Sequence, residues 1–159
     1  MKKLFKTLAL TAALSALSLT AMAAEPALHQ TVTNPQALAV QSAGTENFTG
    51  EVMMAAIYGP QAPSKSYAAT VTFAPGARTY WHVHEMGQTL IVTSGIGYTQ
   101  EWGKAPVMLK PGDIVRCPPG VKHWHGAAPH SSMTHLALSE AGGTVTWLEE
   151  VSAKDYPSE

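Results

Sequence analysis

The chain has one cysteine in 159 residues, Cys117, so no internal disulfide can brace it. A lone cysteine in such a context reads as a small buried hydrophobe. Charge is also scarce, at 13% of residues, and no cluster of Lys or Arg stands out. That absence argues against nucleic acid or an anionic membrane surface as a partner. No apolar run reaches the roughly 20 residues needed to span a bilayer. No segment sustains a period near 3.6, which leaves room only for a short helix near the C-terminus.

What is present begins with a leader. Lys2, Lys3 and Lys6 form a cationic head, Leu8 to Leu19 is apolar but broken by Ser and Thr, and Ala21-Met22-Ala23 supplies small residues for cleavage. Residues 1–23 therefore read as an export signal. The cleavage region has no cysteine, which argues against a lipid anchor, and there is no twin-arginine pair. The expectation is a chain that crosses the membrane unfolded, folds in the periplasm or outside the cell, and acquires any metal there. Without the leader lysines, seven basic side chains face eleven acidic ones, a net charge of −4.

Residues 24–46 are small and polar, with Pro26, Pro35 and Gly44 and no period, and read as a linker or an arm that orders against a neighbour. From there to residue 156 the texture changes. Short runs rich in Val, Ile, Thr and aromatics, such as "SYAATVTF", "QTLIVTSG" and "MTHLALS", alternate with turn signals such as "APG", "KPG" and "PPG". Closely spaced strands with Pro and Gly between them predict one all-β domain, a sandwich or a barrel.

Five of the seven histidines fall into this pattern. Residues i and i+2 of a strand share a face, roughly 7 Å apart. Read as a strand, "TYWHVH" projects His82 and His84 together. "VKHWHGA" does the same for His123 and His125, and "SMTHLALS" adds His135. Gln88, after a turn at Glu85 to Gly87, points the same way. The same parities aim Tyr80, Leu90, Met133 and Ser139 at that interior as pocket lining. His29 and His130 lie in loop-like segments and read as exposed. Several imidazoles crowded into an apolar interior lose hydration unless something organises them. A divalent cation does so, because neutral imidazole is a favoured ligand. Three histidines plus the Gln88 oxygen make a four-ligand set with positions left for water or substrate, while His125 and His135 face those positions.

At these residues the sequence resembles the cupins. The first cupin motif, G-x5-H-x-H-x3,4-E-x6-G, matches Gly76, His82, His84 and Gly95, with Gln88 at the usual Glu. The second, G-x5-P-x-G-x2-H-x3-N, matches Gly112, Pro118, Gly120 and His123, with Ala127 at the usual Asn. The stretch from Ile96 to Pro111 separates them. The resemblance implies a single-domain jelly-roll barrel (a double-stranded β-helix) with the metal held by His82, His84, Gln88 and His123. It also implies a homodimer or higher homo-oligomer. Trp81, Val83 and Trp124, on the outward parity, would suit such an interface unless loops or the arm cover them.

Within the cupins, "VTFAPGARTYWHVHEMGQTLIVTSGIGYTQ", "PGDIVRCPPGVKHWHGAAP" and "MTHLAL" resemble the bacterial hydroxynitrile lyases. That resemblance implies manganese on three His and one Gln, with Fe2+, Zn2+ and Ni2+ as alternatives, and His125 and His135 as catalytic groups beside a small-molecule substrate. Ser139 departs from it, standing where those enzymes carry a longer Gln. The implied activity is cleavage of a cyanohydrin such as mandelonitrile to an aldehyde and HCN. The same residues also suit a metal-dependent dioxygenase, a decarboxylase of a small organic acid, or a non-enzymatic ligand- or metal-binding barrel.

Overall fold

The computed structural model describes residues 29–157. The export signal at residues 1–23, and the first part of the arm, lie outside them. The chain divides into a unit spanning Met1–Thr31 and one spanning Val32–Glu159. Every element below belongs to the latter.

After a one-turn 3-10 helix at Pro35–Ala37, capped by the Asn34 side chain accepting from the Gln36 N–H, the structure is all strand. In chain order these are β1 (Gln41–Ser42), β2 (Phe48–Thr49), β3 (Val52–Tyr58), β4 (Ser66–Phe73), β5 (Arg78–Thr79), β6 (His82–His84) and β7 (Gln88–Gly95). There follow β8 (Gly97–Glu101), β9 (Val107–Leu109), β10 (Ile114–Cys117), β11 (His123–Ala127), β12 (Met133–Glu140) and β13 (Val145–Trp147). No helix forms near the C-terminus, where residues 153–155 make only a turn. Among the described residues, no helix is long and apolar enough to cross a membrane.

Two antiparallel sheets result. One runs β1-β3-β4-β12-β7-β10; the other runs β13-β6-β11-β5-β2, with β8 on the flank of β11 and β9 beyond it. Neighbours that are distant in sequence, such as β4 and β12, give the jelly-roll crossing pattern. The chain passes between sheets where a bend is cheap for glycine: Gly95, at the end of β7, takes φ +73° before Gly97 opens β8. Part of the arm joins the first sheet, because Gln41 and Ser42 of β1 pair with Met54 and Met53 of β3.

The interior is filled in two places. Val52, Val71, Phe73, Val92 and Met133 pack together with Leu109 between the sheets. A second cluster lies on the other side of β11, where Trp81 and Trp124 meet Tyr98, Ala128 and Val151. Both tryptophans face away from the histidines, as parity predicts, but they are 1% and 0% exposed and so are covered rather than free for an interface. The C-terminal segment covers them. The Tyr156 ring lies 5.8 Å from Trp124, and its hydroxyl donates to the Ala127 carbonyl at 2.8 Å. Arg78 holds the same segment by donating to the Val151 carbonyl and lying over the Tyr156 ring. Parity predicted which way the indoles face. It carried no information on what would lie against them.

Candidate metal centre

His82, His84, His123, His125 and His135 are all buried, so the five parity assignments meet in one interior. The strands that bring them together are β6, β11 and β12. His123 is the register partner of His82 across β11 and β6, which places the two rings 4.3 Å apart. His84 lies 5.1 Å from His82 and 5.7 Å from His123, measured between ring centroids. His125 lies 5.3 Å from His82, and His135 sits 4.8 Å from His125. Ligand nitrogens of His82, His123 and His125 all fall within 4.8 Å of one another. His125, which the sequence motif places beside the ligands, is thus near enough to be one.

Backbone carbonyls set the tautomers. His82 Nδ1 donates to the Tyr80 carbonyl at 2.9 Å, and His123 Nδ1 donates to the Val121 carbonyl at 2.9 Å. Each bond fixes the proton on Nδ1 and leaves Nε2 with a free lone pair. The Gln88 Oε1 lies 3.5 Å from His123 Nε2, so a neutral oxygen joins the nitrogens. His135 Nε2 and His125 Nδ1 share one proton across 3.2 Å, and His135 Nδ1 has no hydrogen-bond partner. Free nitrogens converging without protons between them, with an oxygen beside them, are what a divalent cation requires.

The matching family model, the Cupin domain, covers residues 69–138, which hold every one of these side chains. A curated relative from Granulicella tundricola, named (R)-mandelonitrile lyase, is 50% identical over 111 residues, covering 69% of this chain and 85% of that protein. The chain belongs to the cupins. Among solved cupins, a cupin-like protein from Thermotoga maritima is similar at 41% identity and TM-score 0.69, over 72% of this chain and 89% of its own. The polyketide cyclase RemF from Streptomyces resistomycificus, at 16% identity and TM-score 0.67 over 80% of this chain and 91% of its own, shares the fold alone.

The cupin's histidines open onto a cavity of about 170 Å³, well under the roughly 300–1,000 Å³ of drug-sized sites. Its walls are apolar: Phe48 and Trp147 on one side, Tyr67, Val71 and Phe73 on another. Ser139 lines it, as the sequence pattern suggests. Tyr80, Leu90 and Met133 do not. The strand read as "TYWHVH" is interrupted after Thr79, so Tyr80 drops out of the alternation and offers its carbonyl to His82 instead. Leu90 is fully buried within the first sheet, between Val115 and Ala137, and Met133 packs in the core with Phe73.

Several side chains escaped the sequence reading, and three of them touch the histidines. Trp147 of β13 lies 4.8 Å from the His82 ring, Phe73 meets His125 edge-on at 5.7 Å, and the Thr79 hydroxyl accepts from the His125 N–H at 3.1 Å. Only the Thr79 contact had a local signal. It is a β-branched polar residue in an apolar run just before the first histidine pair.

Burial lowers every one of the five imidazoles. His82 falls to about 3, chiefly by desolvation and then by the neighbouring His123; His84 and His135 fall to about 4, also mainly by desolvation. His125 is pushed well below the ordinary value by burial first and His135 second. His125 and His135 therefore do not keep the near-neutral value of a free imidazole. These groups are neutral in the fold yet take up protons near pH 6.5 when unfolded. The metal-stripped protein should therefore hold its full stability above pH 6.5 and lose it as pH falls toward 4. Between pH 6.5 and 5, each strongly shifted histidine contributes about 2 kcal/mol to that loss. Thermal melts of the stripped protein at pH 7.5 and pH 5 check this, and equal melting temperatures would refute it.

Proposed function

We propose that this cupin is a metal-dependent lyase that cleaves cyanohydrins such as mandelonitrile to an aldehyde and HCN. One observation carries the reading, the 50% identity to an (R)-mandelonitrile lyase over 85% of that protein. The buried histidines beside a small apolar cavity support it. His82, His84, Gln88 and His123 would hold the divalent ion, with manganese favoured. When bound, such an ion supplies Lewis-acid polarisation of a substrate oxygen, and a neutral Gln leaves it more positive charge than a Glu would.

The chain's own residues then have separate tasks. The apolar walls exclude water and receive the organic part of the substrate. The His125–His135 pair accepts the hydroxyl proton. As the O–H electron pair becomes the C=O bond, the C–CN pair leaves with cyanide. The imidazolium then returns its proton to cyanide as HCN, so atoms and charge balance. Burial makes that imidazolium a stronger acid than a free one, which favours return of the proton. The leader composition supports export to the periplasm or beyond, and the family's habit supports a homodimer or higher homo-oligomer.

Elemental analysis of the purified protein, paired with mandelonitrile cleavage with and without added Mn2+, tests the reading. Stoichiometric metal with manganese-stimulated benzaldehyde release is expected. Stoichiometric metal without cleavage would overturn the lyase.

A further inference from the structure

The histidine cavity has a neighbour. A cleft of about 330 Å³ lies at the rim of the barrel, where β10 and β12 end and β7 begins. Met86 and Gly87 from the turn after β6 line it on one side, and Pro118 and Pro119 after β10 on another. Gln88 and Ser139 line both this cleft and the histidine cavity, so the two spaces meet across those two side chains. Ser139 is small and half-buried, so its side chain fills little of the boundary between them.

The cleft differs from the cavity in character, because it carries charge. Arg116 and Glu140 both line it. Arg116, Thr89 and Leu138 stand in register on adjacent strands β10, β7 and β12, and Glu140 follows Leu138 by two on the same face. Two strand spacings, roughly 10 Å, thus separate the cation from the anion's strand. Neither side chain has an ion-pair or hydrogen-bond partner among the described residues. Arg116 also borders a further recess, of about 200 Å³, that reaches His123 from another side. An exposed guanidinium without a protein partner, in a cleft that shares two wall residues with the histidine cavity, is suited to a planar carboxylate.

We infer that the rim cleft is a second subsite, in which Arg116 receives a carboxylate on the far end of a substrate whose reacting end lies among the histidines. The substrate class is an aryl cyanohydrin with a carboxylate across the ring from the reacting carbon. The nature of the reacting group rests on the lyase reading; the tail subsite does not.

The test uses the purified protein with its own metal content and two probes, benzaldehyde and 4-carboxybenzaldehyde, titrated by calorimetry. The carboxylated probe is expected to bind about three- to fivefold more tightly, the upper part of what an exposed ion pair provides. Arg116→Gln should abolish that preference, and Glu140→Gln should increase it by removing the like charge. Ser139→Leu, which enlarges the side chain between the two spaces, should weaken the carboxylated probe more than benzaldehyde. A preference that is missing in the parent protein, or that survives Arg116→Gln, overturns the subsite. Equal weakening of both probes by Ser139→Leu overturns the link between the two spaces. Mandelonitrile cleavage is assayed in parallel. Cleavage without a carboxylate preference sinks the subsite alone, while an Arg116-dependent preference without cleavage sinks the lyase alone.

Discussion

Replacing His123 by alanine should strip the metal and reduce mandelonitrile cleavage by on the order of a thousandfold. His123 is 2% exposed, its Nδ1 is committed to the Val121 carbonyl, its ring lies 4.3 Å from that of His82, and its Nε2 lies 3.5 Å from Gln88 Oε1. The adjacent Trp124 faces the opposite cluster and offers no replacement, and His125, though near, is engaged with His135. Metal polarisation of a substrate oxygen is worth several kcal/mol, and about 1.4 kcal/mol corresponds to each factor of ten in rate. His130→Ala, at an exposed position, is the control and should leave both metal content and rate unchanged. Elemental analysis and cleavage rates on the two variants decide the matter. Stoichiometric metal in His123→Ala would remove this residue from the ligand set.

The second large effect concerns the fold. Gly95→Ala should destabilise the protein by about 3–5 kcal/mol, a substantial share of a total that is typically about 5–15. Gly95 has φ +73°, where an L side chain is strained, and an added Cβ would lie 1.8 Å from the Ser132 carbonyl oxygen. That oxygen is backbone, and it already accepts from the Ile96 N–H, so it cannot yield without opening the crossing from β7 to β8. Gly76→Ala separates the two contributions. Its φ is +81°, but nothing lies within 4 Å of the added Cβ, so only the backbone strain, about 1–2 kcal/mol, should appear. Thermal or denaturant unfolding of both variants measures the difference. Equal losses would show that the close approach contributes nothing.

Both glycines belong to the first sequence motif, yet the sequence alone ranks them equally. The same holds for much of the site. Alternation was enough to place five histidines in one interior, because His82 and His84, and likewise His123 and His125, stand two residues apart on one strand and so share a face. Alternation failed where the strand itself stops. Tyr80 and Trp81 make irregular bonds to Asn47 and Glu149, and the count restarts at His82. Leu90 and Met133 face inward as expected. Inward-facing residues, however, divide between the cavity and the packed core according to depth, which a period of two does not encode. Trp147 and Phe48 reach the cavity from strands of three and two residues, too short to show a period. The charged rim was unreadable for a related reason. Arg116 and Glu140 stand on outward positions, and only the ends of three strands meeting in space make them neighbours of the cavity.

The pairing of β13 with β6 has a consequence for the order in which the molecule is made. Val145, Thr146 and Trp147 form the ladder with His84, Val83 and His82, and Val151 and Tyr156 cover the reverse side of the strand bearing His123 and His125. A ribosome or a translocation pore releases the histidine strands first and these closing residues last. Until residues 145–156 emerge, the first histidine pair lacks one of its two neighbouring strands and the tryptophans lack their cover. The centre therefore depends on a segment made after its last histidine. An incompletely synthesised chain holds the ligands without the enclosure that makes them a site.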